Sequence, residues 1–150
     1  MPKITPFLWF NDNAEDAANF YLSVFPNSRK LGELRSDVQT SVPPGALLII
    51  DIELEGQQIT FLNGGTAHQL SEAVSLYVNC DTQAEIDHYW AVFGDGGTEL
   101  GCGWIKDKFG LCWQIVPTGL KDLLRKAAVM RAMMSMQKFD IAALKAAAQS

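Results

Sequence analysis

The stretch DTQAEIDHYWAVF, residues 81–93, reads as an amphipathic helix with its start written in. Thr82 and Glu85 have capping-box spacing, in which each side chain satisfies a backbone amide that the helix itself leaves open. Ile86, Tyr89, Trp90 and Phe93 then recur at the spacing of one buried face. The same pattern occurs earlier in DNAEDAANFYLSVFP, residues 12–26, where Asn13 stands at the N-cap and Ala14, Ala17, Ala18, Tyr21, Leu22 and Phe25 form the apolar face. With Asp12 set on Asp81, Ala17 falls on Ile86, Phe20 on Tyr89, Tyr21 on Trp90 and Val24 on Phe93. Both helices carry adjacent aromatics at the same place.

The flanks repeat too. KITPFLWF (3–10) precedes the first helix as a strand, and EAVSLYVNC (72–80) precedes the second. SRKLGELRS (28–36), ALLIIDIELEG (46–56) and QITFLNGG (58–65) follow the first helix, with a tight return at Gly56-Gln57. TELGCGWIK (98–106) and LCWQIVP (111–117) follow the second, joined by a hairpin turn that Asp107 opens and Gly110 ends. The expected fold is α+β: two βαβββ modules, 3–65 and 70–117, within a single domain spanning 1–150. Residues 119–139 and 140–149 read as helices of a C-terminal tail, the second capped by Asp140. Met130, Met133, Met134 and Met136 give this tail an apolar face for packing on the domain or on a second subunit.

Bulk properties exclude several classes of function. The chain has 150 residues, 48% hydrophobic and 19% charged, which suits a globular core. Its net charge of −5 argues against nucleic acid as a partner, because phosphate binding needs a basic face. Three cysteines without a CxxC pair indicate neither a disulfide framework nor a zinc ribbon. No apolar run reaches the roughly 18 residues of a membrane span. The N-terminus enters a strand-like run without signal-peptide features, so a cytoplasmic location is expected. No GxGxxG or GxxxxGK[ST] loop occurs, so Gly64-Gly65 reads as a strand end rather than a phosphate cradle.

PFLWFNDNAEDAANFYLSVFPNS, ITFLNGG, VSLYVNCDTQAEIDHYW and CGWIKDKFGLCWQIVP together resemble the vicinal oxygen chelate superfamily, which includes glyoxalase I, bleomycin-resistance proteins and extradiol dioxygenases. Within it the chain is similar to the PhnB-like group labelled 3-demethylubiquinone-9 3-methyltransferase. The resemblance implies that the modules form a cupped sheet, with helices outside and a pocket inside. It also implies a homodimer. In the metal enzymes of the superfamily, four cup-facing side chains hold a divalent ion. Those positions fall on Thr5, Phe61 and Gln114 and near Ala73, with a one-residue margin on Phe61 and Ala73.

That set lacks metal ligands. Phe and Ala offer none, a neutral Thr hydroxyl is a poor one, and a one-residue slip adds only Glu72. His68 falls in the loop between modules, and His88 on a helix away from the cup. No metal and no cofactor are therefore expected. Strand periodicity puts Thr5, Phe7 and Trp9 on one face, Phe61 and Asn63 on another, and Ser75 and Tyr77 on a third. Placed in the cup, they make an aromatic pocket with Asn63, Ser75 and Gln114 as polar points, a site for a small-molecule ligand. Cys112 shares the Gln114 face and reads as structural, since no base follows from the spacing. If Asp107 pairs with Gly110, Trp104 faces Trp113 across the hairpin.

Three alternatives stay open. One is a divalent-metal lyase, isomerase or dioxygenase. Another is the methyltransferase of the family label, against which the lack of a Gly-rich loop weighs. The third is a protein–protein module that works through the Met-rich tail.

Overall fold

A computed structural model describes residues 2–150. The chain divides into two compact units, residues 1–70 and 71–150. Each contains one βαβββ module, and the second also carries the C-terminal helices, so the fold is α+β.

In the first unit, β1 (Phe7–Phe10), α1 (Ala14–Val24), β2 (Ser28–Arg35), β3 (Leu47–Leu54) and β4 (Gln57–Asn63) follow in order. The strands make one sheet in the order β1-β4-β3-β2. β1 runs parallel to β4, while the β4–β3 and β3–β2 pairs are antiparallel. The β3–β4 return turns on Glu55 and Gly56, at φ 49° and 85°, one residue earlier than Gly56-Gln57. Two positive φ angles flanked by the Leu54–Gln57 pair form a type I′ turn, whose twist matches the strands it joins. Helix α1 packs on β3 and β4. Its small residues Ala14, Ala17 and Ala18 are wholly buried, which lets the helix approach the sheet closely. The rings of Tyr21 and Phe10 close on Phe61 at 5.7 and 4.9 Å.

The second unit repeats the order with β5 (Ser75–Cys80), α2 (Gln83–Gly94), β6 (Thr98–Gly101), β7 (Trp104–Lys106) and β8 (Cys112–Pro117). Its sheet runs β5-β8-β7-β6, with β5 parallel to β8. Thr82 caps the helix, its side chain accepting from Glu85 N at 3.2 Å, while the Glu85 carboxylate reaches one residue past the N-cap and accepts from Asp81 N at 3.0 Å, so the reciprocal half of the expected capping box is shifted by one residue. On the buried side of the sheet, Phe93 of α2 stacks on Trp113 of β8 with centroids 4.4 Å apart.

The stretch 119–139 is not one helix. It splits into α3 (Leu120–Leu123) and α4 (Ala127–Met134), and a non-helical segment leads on to α5 (Ile141–Ala148). Asp140 caps α5 as expected, accepting from Ala143 N at 3.0 Å. This segment is held by the β6–β7 turn, where Cys102 N donates to Met136 O and Gly103 N to Gln137 O, both at 2.8 Å. Gln83 of α2 fastens it a second time. Its amide nitrogen donates to Phe139 O and its oxygen accepts from Ile141 N, each at 2.8 Å. No helix among the described residues is long and apolar enough to cross a membrane.

Candidate functional site

Strand pairing assigns the faces. In the second unit, Ser75 and Tyr77 of β5 lie beside Cys112 and Gln114 of β8, and Trp104 and Lys106 of β7 follow in the same rows. These six side chains share the face turned away from α2, since the intervening Trp113 and Ile105 are buried on the α2 side. Four expected site residues therefore come together: Ser75, Tyr77, Cys112 and Gln114. The Trp104 register differs from expectation. Trp104 pairs with Gln114, and Ile105 pairs with Trp113. The hairpin connection spans Asp107 to Leu111, and Asp107 N donates to Leu111 O. That shifts the ladder by one residue and moves Trp104 to the other face.

Gln114 has a defined pose. Its amide nitrogen donates to Ser75 Oγ at 2.9 Å, which turns the amide and leaves Oε1 without a protein donor among the described residues. Beside it, Tyr77 is 39% exposed, and Lys121 Nζ lies 5.4 Å from the centroid of its ring. Partial burial raises the Tyr77 phenol above its ordinary range. The result is a half-open aromatic surface with an oriented carbonyl acceptor.

The hairpin that carries Gln114 is set by Asp107, which is 4% exposed. Its Oδ1 accepts from Phe109 N at 2.9 Å and Leu111 N at 3.1 Å, and its Oδ2 from the Trp113 indole at 2.9 Å. The turn role was legible in the sequence; the bond to Trp113 was not.

The first unit departs further. Parallel pairing sets Leu8 beside Phe61 and Phe10 beside Asn63, so Phe61 and Asn63 point toward α1. Phe7 and Trp9 point the other way, with Thr60 and Leu62. Phe61 and Asn63 therefore do not join Phe7 and Trp9 in a common wall, and the expectation was one residue out of phase. Phe61 is core, wholly buried against Tyr21 and Phe10. Asn63 is a brace. Its Oδ1 accepts from Ala14 N at 2.8 Å, and its amide donates to Leu47 O at 3.1 Å. It does the work expected of Asn13, which stands at the N-cap but makes no side-chain cap bond.

Phe7 is 55% exposed. Trp9 is half-buried: its indole donates to Gly65 O at 2.9 Å, and His68 packs edge-on at 4.8 Å. Thr5 lies outside β1, which begins at Phe7, and Ala73 precedes β5.

Metal chemistry can be tested on the donor set. Glu72 is ion-paired with Lys106 at 3.0 Å rather than aimed at Gln114. His88 is exposed on α2 beside Tyr89, and His68 lies against Trp9. Among the described residues no three His, Cys, Asp or Glu side chains are grouped to hold an ion. These residues do not fit a divalent metal of the chelate type.

The three cysteines are free thiols. Burial, then the carboxylates of Glu85 and Asp81, push the Cys80 thiol up to about 12. Burial also raises Cys112, with Glu72 and Asp107 adding to the effect and Lys106 opposing it. Neither is a ready nucleophile. Native protein should thus react with dithionitrobenzoate at Cys102 alone, and unfolded protein at all three thiols. Two fast thiols in the native state would contradict this assignment. Cys80 also carries a pH signature. Below about pH 9 its thiol is neutral folded and unfolded alike; from there through 12 the unfolded chain ionises first, and stability falls.

A family model described as 3-demethylubiquinone-9 3-methyltransferase matches residues 2–116. A PhnB protein from Bacillus cereus, named for the same methyltransferase, is 32% identical. The match covers 78% of this chain and 100% of that one, with a TM-score of 0.71. Protein PA1353 from Pseudomonas aeruginosa is 16% identical over 78% of this chain and 98% of its own, at TM-score 0.64. The fosfomycin resistance protein FosX from Listeria monocytogenes, solved with Mn(II) and sulfate, shares the fold at 11% identity and TM-score 0.54. That match covers 83% of this chain and 98% of FosX. No curated protein matches the chain.

Proposed function

The chain belongs to the 3-demethylubiquinone-9 3-methyltransferase family, a PhnB-like branch of the vicinal oxygen chelate fold, and from that premise we propose that it binds a small organic molecule without a metal ion. The site is the β5–β8 face turned away from α2. One observation carries the reading: Gln114 is fixed by Ser75 with its carbonyl oxygen uncommitted, next to the half-exposed ring of Tyr77. An amide held in this way orients a donor group on a ligand whose flat part lies against the ring. Cys112 forms part of the floor and takes no covalent role.

The homodimer belongs to the same proposal, supported by exposed apolar side chains such as Met134, 67% exposed, and Phe7. The methyltransferase named by the family description is the second reading. Its discriminating test is a thermal shift with S-adenosylmethionine, and no shift is expected.

The main experiment is a fragment screen by ¹⁵N-edited NMR, with metal content measured on protein purified without chelator. Aromatic fragments are expected to move the Gln114 side-chain amide and the Tyr77 and Gln114 backbone signals. Gln114→Ala should weaken such fragments about fivefold, the value of one hydrogen bond of ~1 kcal/mol. Near-stoichiometric manganese, iron, nickel or zinc, with a melting shift lost in Gln114→Ala, would defeat the proposal and restore a chelate enzyme.

A further inference from the structure

The family match ends at residue 116, and the tail beyond it supplies one group to the Gln114 face. Gly119, at φ 83°, turns the chain out of β8 into α3, and the second residue of that helix is Lys121. Its ammonium lies over the Tyr77 ring at 5.4 Å from the centroid. Lys121 takes part in no ion pair among the described residues, whereas Lys106, Lys30 and Lys138 each hold a carboxylate. The face therefore presents three unlike elements: a cation without a carboxylate partner, an aromatic surface and an oriented carbonyl acceptor. The Lys106 charge, in the Cys112 row, is already matched by Glu72.

We propose that Lys121, delivered by the C-terminal tail, makes this face selective for planar aryl carboxylates that carry a hydroxyl or similar donor. This rests on the binding reading above and adds the ligand class to it. A flat ring stacks on Tyr77, since offset aromatic pairs are favoured beyond the area they bury. The carboxylate meets the ammonium in a charge-assisted contact. The hydroxyl donates to Gln114 Oε1, an acceptor that Ser75 keeps turned toward the face. A neutral isostere makes two of these contacts, and an aliphatic acid makes the charge contact without the stack. The Tyr77–Lys121 contact also holds the cation over the ring when no ligand is present.

The test uses 2-hydroxybenzoate and 4-hydroxybenzoate as probes against the corresponding hydroxybenzamides, followed by NMR titration of the whole chain. The two isomers set the carboxylate and the hydroxyl at different separations on the ring. At least one acid should move the Gln114 side-chain amide and bind five- to tenfold more tightly than its amide. Lys121→Gln, an exposed change that leaves the fold intact, should erase that preference and spare the amide. Raising the salt concentration should weaken the acid alone. Equal binding of acid and amide to the wild type, or an acid unaffected by Lys121→Gln, would overturn the ligand class and leave the binding face standing. The same holds if unrelated fragments bind there and neither probe does. If no fragment of any kind moves the face, the binding reading and this inference fall together.

Discussion

Asp107→Ala is expected to lower the free energy of unfolding by about 3–5 kcal/mol. The carboxylate is 4% exposed and accepts from two backbone amides and the Trp113 indole. Alanine leaves all three donors without that acceptor, and each buried orphan costs about 1–3 kcal/mol. Asp107→Asn should be milder, about 2 kcal/mol, because Oδ1 can still serve the two amides while the new NH₂ opposes the indole N–H. Urea unfolding followed by tryptophan fluorescence and by far-UV circular dichroism measures both. A loss below 1 kcal/mol for the alanine variant would mean that the turn holds without its carboxylate. The effect bears on the proposed binding face, because the same hairpin presents Gln114.

Gly103→Ala is the second large effect. The residue sits at φ 80°, a backbone region that disfavours a side chain, and an added Cβ would lie 2.4 Å from the Phe139 ring. Phe139 is 1% exposed, so its ring cannot simply swing into solvent without losing its packing. Left-handed strain near 1 kcal/mol and overpacking of 1–3 kcal/mol sum to about 2–4 kcal/mol. The damage should be local. Hydrogen exchange is expected to speed up at Gly103, Ile141 and the α5 amides, while β3 and β4 keep their protection. Unchanged exchange in α5 would show that Phe139 is not what seats the tail. Since Lys121 leads into that tail, the variant also separates fastening of the tail from delivery of its cation.

The element order was legible because both helices announce themselves. Apolar spacing from Ile86 to Phe93, with a local capping box, has one reading, and the Asp12–Val24 stretch repeats it. Of the site, the second-unit part was legible. In Cys112–Trp113–Gln114–Ile115 the polar amide interrupts an apolar strand, and the parallel partner Tyr77 falls beside it.

The first-unit part was not legible, for a physical reason. β1 is apolar on both faces, so Phe7-Leu8-Trp9-Phe10 contains no alternation to say which side meets a helix. Only the pairing of Leu8 with Phe61 decides that, and such pairing joins residues more than 50 positions apart in the chain. Gln58 and Thr60 did hold a clue. They are the polar partners in alternation with Ile59 and Phe61, which marks Ile59 and Phe61 as the core side. The Asp107–Gly110 turn does close, with Gly110 N donating to Asp107 O, but the ladder then pairs Asp107 with Leu111, and the extra residue, Gly110 at φ 89°, is what shifts the Trp104 register. The fastening of the tail by Gln83 had no local signal at all, because the residues it joins are 56 and 58 positions away.

Two helices of matching position begin in different ways, and the difference sets an order of events. The first turn of α2 is closed by Thr82 and Glu85, its own neighbours, so that helix can start while the rest of the chain is still unfolded. The first amide of α1 is received by Asn63, 49 residues downstream, which exists as an acceptor only once β4 has been laid beside β1. During synthesis from the N-terminus, α1 therefore emerges first and is completed late, waiting on a strand not yet made. Two copies of one motif thus complete the same element by different means: the second module's helix start is closed by its own neighbours, and the first module's by a strand brought in from far along the chain.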